Sequence, residues 1–79
     1  MKARIIVTLK TGILDPQGKA IEGALKSLGL ANVAAVRQGK VFDVEIEAAS
    51  GVEAKAQLAQ ACERLLANTI VENYAVEIV

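Results

Sequence analysis

Seventy-nine residues, nine Lys and Arg against nine Asp and Glu, no histidine and one cysteine describe a single domain, residues 1–79, without net charge. That balance offers no long-range attraction to nucleic acid. Cys62 alone cannot build a disulfide framework, and a zinc site of the histidine–cysteine kind has no ligands to draw on. No run nears the ~20 apolar residues of a membrane span, and Met1-Lys2-Ala3-Arg4 leads straight into strand pattern with no signal peptide in view. One unpaired cysteine suits a reducing compartment, so the cytoplasm is the expected location. A chain this short gains little from its own core. Association with other chains is the remaining common source of stability.

Residues 3–9 alternate: Ala3, Ile5, Val7 and Leu9 against Arg4, Ile6 and Thr8, the period of a strand. Thr11-Gly12 breaks it. Asp15 is placed to cap a helix by accepting from the N–H of Gln17 or Gly18, and Pro16 takes the first helical position, where a missing N–H costs nothing. Gly18 weakens that first turn by roughly 0.5–1 kcal/mol relative to alanine. Its presence implies close approach, either by a packed neighbour or by a partner or anion. The helix is expected from about Pro16 to Leu28, with Ile21, Ala24, Leu25 and Leu28 as its apolar stripe and Glu22, Lys26 and Ser27 in water. Gly29 ends it.

A short second strand is expected at 32–37 and a turn within Gln38-Gly39-Lys40. Residues 41–48 alternate again, with Phe42, Val44, Ile46 and Ala48 opposite Val41, Asp43, Glu45 and Glu47. A two-residue turn sets Val33, Ala35 and Arg37 beside Phe42, and a three-residue loop sets Ala34 and Val36 there. The second is favoured because it buries Val36 and leaves Arg37 wet. Ser50 and Glu53 form a capping-box pattern. It opens a second helix that is expected to reach about Ala67, with Leu58, Ala59, Cys62, Leu65 and Leu66 inward and Asn68 as its cap. Residues 72–79 form the last strand, with Tyr74, Val76 and Ile78 on one face.

The order β-α-β-β-α-β predicts an α+β, ferredoxin-like sandwich. It would have a four-stranded antiparallel sheet, order 4-1-3-2, with both helices on one face. The other face would carry Arg4, Ile6, Thr8, Asp43, Glu45, Glu47, Ala75, Glu77 and Val79. Carboxylates there could suggest a metal or an acid–base pair, but alternating Glu on an exposed strand with Lys2, Arg4 and Lys10 nearby is ordinary cross-strand pairing. The mixed face suits contact with a second copy, with Ile6 and Glu45 as its markers. The face lacks the aromatic rings on which an RNA-binding sheet stacks bases. Val33-Ala34-Ala35-Val36 would make an unprotected apolar edge, with Val33 and Val36 covered by another chain or shielded by the strand's shortness. Cys62 reads as a small core hydrophobe, lacking the activating neighbour that a nucleophile needs. Arg37, Gly39 and Lys40 offer a weak anion signal at the turn. No nucleophile with a base, phosphate loop or metal cluster emerges.

Leu14-Asp15-Pro16-Gln17-Gly18-Lys19-Ala20, with Arg37-Gln38-Gly39-Lys40 and Leu65-Leu66-Ala67-Asn68, resembles the PurS family. These are the small subunits of phosphoribosylformylglycinamidine (FGAM) synthase, and the resemblance runs over nearly the whole chain. Thr69 stands where the family usually has proline. The resemblance implies a non-catalytic subunit, a homodimer or homotetramer, within a ligase that uses ATP, Mg and glutamine in purine biosynthesis. Its partners would be a glutaminase subunit (PurQ) that releases ammonia and a synthetase subunit (PurL) that carries out the ATP-dependent step. The small subunit would assemble the two and assist ammonia transfer, binding no cofactor itself. Docking would fall on Asp15, Pro16, Gln17, Gly18 and Lys19, on Arg37, Gly39 and Lys40, and on Leu66, Ala67 and Asn68. The alternatives from the residues alone are a ferredoxin-like module that binds a small molecule near Thr11-Gly12 and, less well supported, an acyl-phosphate hydrolase.

Overall fold

A computed structural model describes residues Met1–Val79. The elements run β1 (Lys2–Leu9), α1 (Pro16–Ser27), β2 (Gly39–Glu45), α2 (Gly51–Ala61), a π-type turn (Cys62–Leu66) and β3 (Glu72–Ile78). The sheet is antiparallel with the order β2-β1-β3. The fold is therefore α+β, and the three strands that form keep the relative order expected of them. Ile5 lies opposite Phe42 on one side and Val76 on the other. Val7 likewise faces Lys40 and Tyr74.

Alternation decides the inner face, as the sequence predicts. Ala3, Ile5 and Val7 are buried with Leu58, Cys62 and Ala67, and Phe42, Val44, Ile46, Leu66, Tyr74, Val76 and Ile78 pack around them. α2 crosses this face on the β3 side. Its start is the expected one: the Ser50 hydroxyl accepts from the Glu53 N–H at 3.2 Å. Its end differs. The helix widens at Cys62–Leu66, closed by the Ala67 N–H donating to the Cys62 carbonyl at 3.0 Å. Such a wide turn holds an extra residue, so Leu66 and Ala67 reach the core while Leu65 points outward, 82% exposed. Asn68 does not cap the helix. It shapes the turn into β3, its side-chain oxygen accepting from Ile70 N–H and its carbonyl from Val71 and Glu72 N–H.

The expected second strand is absent from the sheet, and with it the hairpin at Gln38–Lys40. Residues 33–38 form no ladder and lie instead along α1. The physical reason is competition for their N–H groups. The Glu22 carboxylate accepts from Val36 N–H at 3.1 Å and the Asp15 carboxylate from Gln38 N–H at 2.7 Å. Charged acceptors make stronger hydrogen bonds than neutral carbonyls.

The same contact overturns the expected orientation of α1. Glu22 is buried, while Ile21 is 39% and Leu28 77% exposed, so most of the apolar stripe faces solvent and only Leu25 is half-buried. α1 does not pack on the sheet. It continues beyond the end of β1 with residues 33–38 alongside, and the molecule extends 50 × 25 × 14 Å. Gly29, at φ +92°, ends α1 in the left-handed region, as its sequence position predicts.

Candidate docking site

The three segments singled out in the sequence lie at one end of the sheet, where β1 runs out. Asp15 is the centre. One carboxylate oxygen accepts from Gly18 N–H at 2.9 Å, closing the N-terminal cap of α1. The other accepts from Gln38 N–H. Bonding to Gln38 and then to Gly18, with Arg37 nearby, holds the Asp15 carboxyl below the usual carboxylate range. Arg37 is exposed yet anchored, donating to the carbonyls of Ile13 at 2.8 Å and Lys10 at 3.1 Å. It ties the β1–α1 connection to the segment before β2.

Gly18 answers the question that its position raises. A Cβ there would collide with the Val36 carbonyl oxygen and the Asp15 carboxylate. The close neighbour is thus the chain's own residues 33–38, crossing the first turn of α1. Of the Asp15–Lys19 run, Asp15 and Gly18 are spent on internal structure, and Pro16, Gln17 and Lys19 remain exposed. Gly39 is also confined, since a Cβ would meet the Val7 carbonyl at 2.7 Å.

The third segment joins through Glu72, which sequence reasoning missed. One of its carboxylate oxygens accepts from Asn68 N–H at 2.7 Å, and the other sits 3.7 Å from Lys40 Nζ. The first residue of a terminal strand carries no sequence signal for such a role. Glu22 was missed for a plainer reason: helical spacing assigns it to water. Asp15, Gln17, Gln38, Lys40 and Glu72 border a shallow concavity of about 180 Å³ between the α1 end and the β2–β3 end.

The open sheet face is as expected from alternation. Arg4 Nε donates to Asp43 at 2.9 Å and lies opposite Glu77 on β3, and bonding to Asp43 raises the Arg4 pKa further. Lys10 bonds Asn73 rather than a carboxylate. Ile6 sits in a row with Val41 and Ala75, and Glu45 lies opposite Lys2. Val33 and Val36 are half-buried against α1 and not at a sheet edge. Cys62 is wholly buried, and desolvation, with Glu63 adjacent, pushes its thiol pKa up. It stays protonated and unreactive. Desolvation, with the Glu63 carboxylate nearby, also raises the pKa of Tyr74.

The family model for PurS, phosphoribosylformylglycinamidine (FGAM) synthase, matches residues 2–79. The chain belongs to the PurS family. The phosphoribosylformylglycinamidine synthase subunit PurS of Synechocystis is 45% identical over 75 residues, which cover 95% of this chain and 75% of that one. Methanocaldococcus jannaschii PurS superposes with a TM-score of 0.89 at 36% identity, covering 96% of this chain and 92% of that one. It is described as one of the subunits of formylglycinamide ribonucleotide amidotransferase in the purine biosynthetic pathway. A chain of the PurLQS structure from Thermotoga maritima superposes with a TM-score of 0.90 at 35% identity, covering 99% and 95%. PurS is the small subunit of FGAM synthase, the complex named in these relatives, and this chain has its length and shape.

Proposed function

We propose that this PurS chain is a non-catalytic assembly subunit, joining a glutaminase (PurQ) and a synthetase (PurL) through the end of the sheet where its three matched segments meet. One observation carries this reading. Asp15, Arg37 and Glu72 use their charges on backbone groups and on Lys40, gathering the segments without leaving a reactive group among them. Docking then falls on the exposed members, Pro16, Gln17, Lys19, Lys40 and Asn68, with Leu66 and Ala67 supporting them from the core. Asp15, Gly18, Arg37 and Gly39 act indirectly, by fixing the surface. ATP, Mg and glutamine are used by the partner subunits, and this chain binds no cofactor.

A bridging subunit has a physical use. Ammonia released into bulk water is protonated and loses the lone pair with which it attacks, so a route that excludes water preserves the nucleophile. The chain also associates with itself, as a dimer or tetramer. The four-stranded order 4-1-3-2, with residues 32–37 at the edge beside β2, belongs to that assembled state. The setting is the cytoplasm. No helix is long and apolar enough to cross a membrane.

The test is reconstitution with the glutaminase and synthetase. The double variant Gln17→Arg, Lys19→Gln, at exposed positions that hold none of the Asp15, Arg37 or Glu72 bonds, should keep its circular dichroism and shift its melting temperature by less than about 2 °C while glutamine-dependent synthesis falls by at least about tenfold, the effect of roughly 1.4 kcal/mol. Synthesis driven by added ammonium salts should be largely spared. Unchanged glutamine-dependent activity would overturn this assignment of the surface.

A further inference from the structure

The zero net charge of the chain hides an uneven spread. From Lys10 to Lys40 stand five cations, Lys10, Lys19, Lys26, Arg37 and Lys40, against two carboxylates, Asp15 and Glu22. Both carboxylates are buried and spend oxygens on backbone N–H groups. From Val41 onward the ratio turns over, with seven carboxylates against two cations. Four of the five cations gather where β1 runs out. Lys10 donates to the neutral side-chain oxygen of Asn73, and Arg37 donates to the carbonyls of Ile13 and Lys10, so these bonds leave both charges unneutralised. Lys19 and Lys40 are exposed and stand 3.7 Å from the sheltered carboxylates of Glu22 and Glu72. Two bare aliphatic side chains flank the Lys10 and Arg37 pair. Leu14, 71% exposed, follows Ile13, whose carbonyl Arg37 holds. Ile70, 83% exposed, precedes Val71, whose carbonyl accepts from the Lys10 N–H at 2.9 Å. Leu14, Arg37, Lys10 and Ile70 thus form one track across this end of the molecule.

We propose that this track is the contact for the glutaminase, and that it recognises an acidic surface with apolar recesses for Leu14 and Ile70. Apolar anchors that fill pockets, with charge around the rim, are the anatomy of a specific protein contact. Bare aliphatic side chains would have no use on a phosphate backbone. A two-fold contact with a second copy sets a patch against itself, and here that would bring Lys10, Lys19 and Arg37 against like charges. The occupant of this end is therefore a different chain. Of the two partners, the synthetase must draw in ATP and a phosphorylated ribonucleotide. Positive potential at its mouth serves that and repels a cationic neighbour. Glutamine carries no net charge, which leaves the glutaminase free to present carboxylates. The charge on this chain then steers the encounter and fixes its register, while Leu14 and Ile70 hold the contact once made. This inference rests on the bridging reading above and names which partner meets which residues.

The experiment uses the complex reconstituted from all three subunits with glutamine present. A zero-length carbodiimide joins an ammonium group to a carboxylate only where the two touch. It should link Lys10, Lys19 or Lys40 to an Asp or Glu of the glutaminase, giving the summed mass of the two chains on a denaturing gel and the linked peptides in mass spectrometry. Links from these lysines to the synthetase or to a second copy instead, or none leaving the chain, overturn the proposal. Leu14→Asp with Ile70→Asp, at bare positions, should keep the circular dichroism. The pair should raise the glutaminase concentration needed for half-maximal synthesis by at least about tenfold. Val52→Asp, as bare but on α2, should leave that concentration unchanged. An unchanged value for the Leu14 and Ile70 pair, or an equal rise for Val52→Asp, overturns the proposal. If the links run to the synthetase while the Gln17 and Lys19 double variant still loses glutamine-dependent synthesis, the bridging reading stands and this partner assignment falls. If the chain co-elutes with neither partner, both fall.

Discussion

The sheet with α2 and the arm of α1 with residues 33–38 are held together by different physics. In the first, Ile5, Val7, Leu58 and Cys62 are sealed from water, and burial of apolar surface supplies the stability. In the second, the buried side chains are carboxylates, Asp15 and Glu22, which clasp backbone N–H groups while Ile21, Leu28 and Leu30 stay wet. An apolar core is complete in itself. A clasp that leaves an apolar stripe outside orients a surface for something else. Apolar burial and polar clasp thus occupy different parts of one short chain.

Substitutions should separate the two ends. Leu58→Ala, in the core, should cost about 2–5 kcal/mol in denaturant unfolding, at any protein concentration. A cost below about 1 kcal/mol would mean that the α2 end is not the stable unit. Asp15→Ala frees the N–H groups of both Gly18 and Gln38 and should lower the melting temperature by on the order of 10 °C. A shift within about 2 °C would mean that the Asp15 carboxylate does not hold the arm together.

Asp15 also makes the arm acid-sensitive. Its carboxyl is held below the ordinary range, so its contribution is complete above the unfolded value of about 3.9. It is lost as pH falls through the lowered folded value. Asp15→Asn should flatten the stability curve below about pH 4, and an unchanged acid limb would remove Asp15 as the cause.

Gly18→Val should cost about 1–3 kcal/mol, because the colliding Val36 carbonyl is backbone and cannot swing away. Gly18→Ala should cost less. Glu22→Leu should cost about 1–2 kcal/mol through the orphaned Val36 N–H, with Glu22→Gln recovering most of it. If leucine is neutral or better there, Glu22 is not an anchor. Smallest of all, Arg4→Ala removes an exposed ion pair on the open face. It should move the melting temperature by less than about 2 °C.

The sequence was most readable where a pattern had one physical solution. The alternation of 3–9, 41–48 and 72–79 gave the three paired strands and their inner faces, because period two leaves a side chain only two directions. Asp15, Pro16 and Ser50 marked the helix starts through capping chemistry that works locally. Residues 32–37 were misread because apolar, β-branched composition gives strand propensity but not the fact that the Glu22 and Asp15 carboxylates take the Val36 and Gln38 N–H groups. Glu22 and Ile21 were inverted because helical periodicity gives the stripe but not the side of α1 against which residues 33–38 come to lie. Leu65 was placed inward on α-helical spacing, which the extra residue in the turn at Cys62–Leu66 defeats. At the docking end, Asp15 and Gly18 were visible from local rules. Glu72 was not, since its partners Lys40 and Asn68 meet it only in three dimensions.

Cys62 has a practical bearing on how this molecule can be watched. Its sulfur lies in the dry interior against Leu58, and its thiol remains uncharged, so reagents that modify thiolates pass it by. A cysteine placed at Leu28 would be the sole accessible one, and a spin or fluorescent probe could be attached there without first engineering the native residue away. Spectroscopic rulers can therefore follow the free end of α1 in an otherwise unaltered polypeptide.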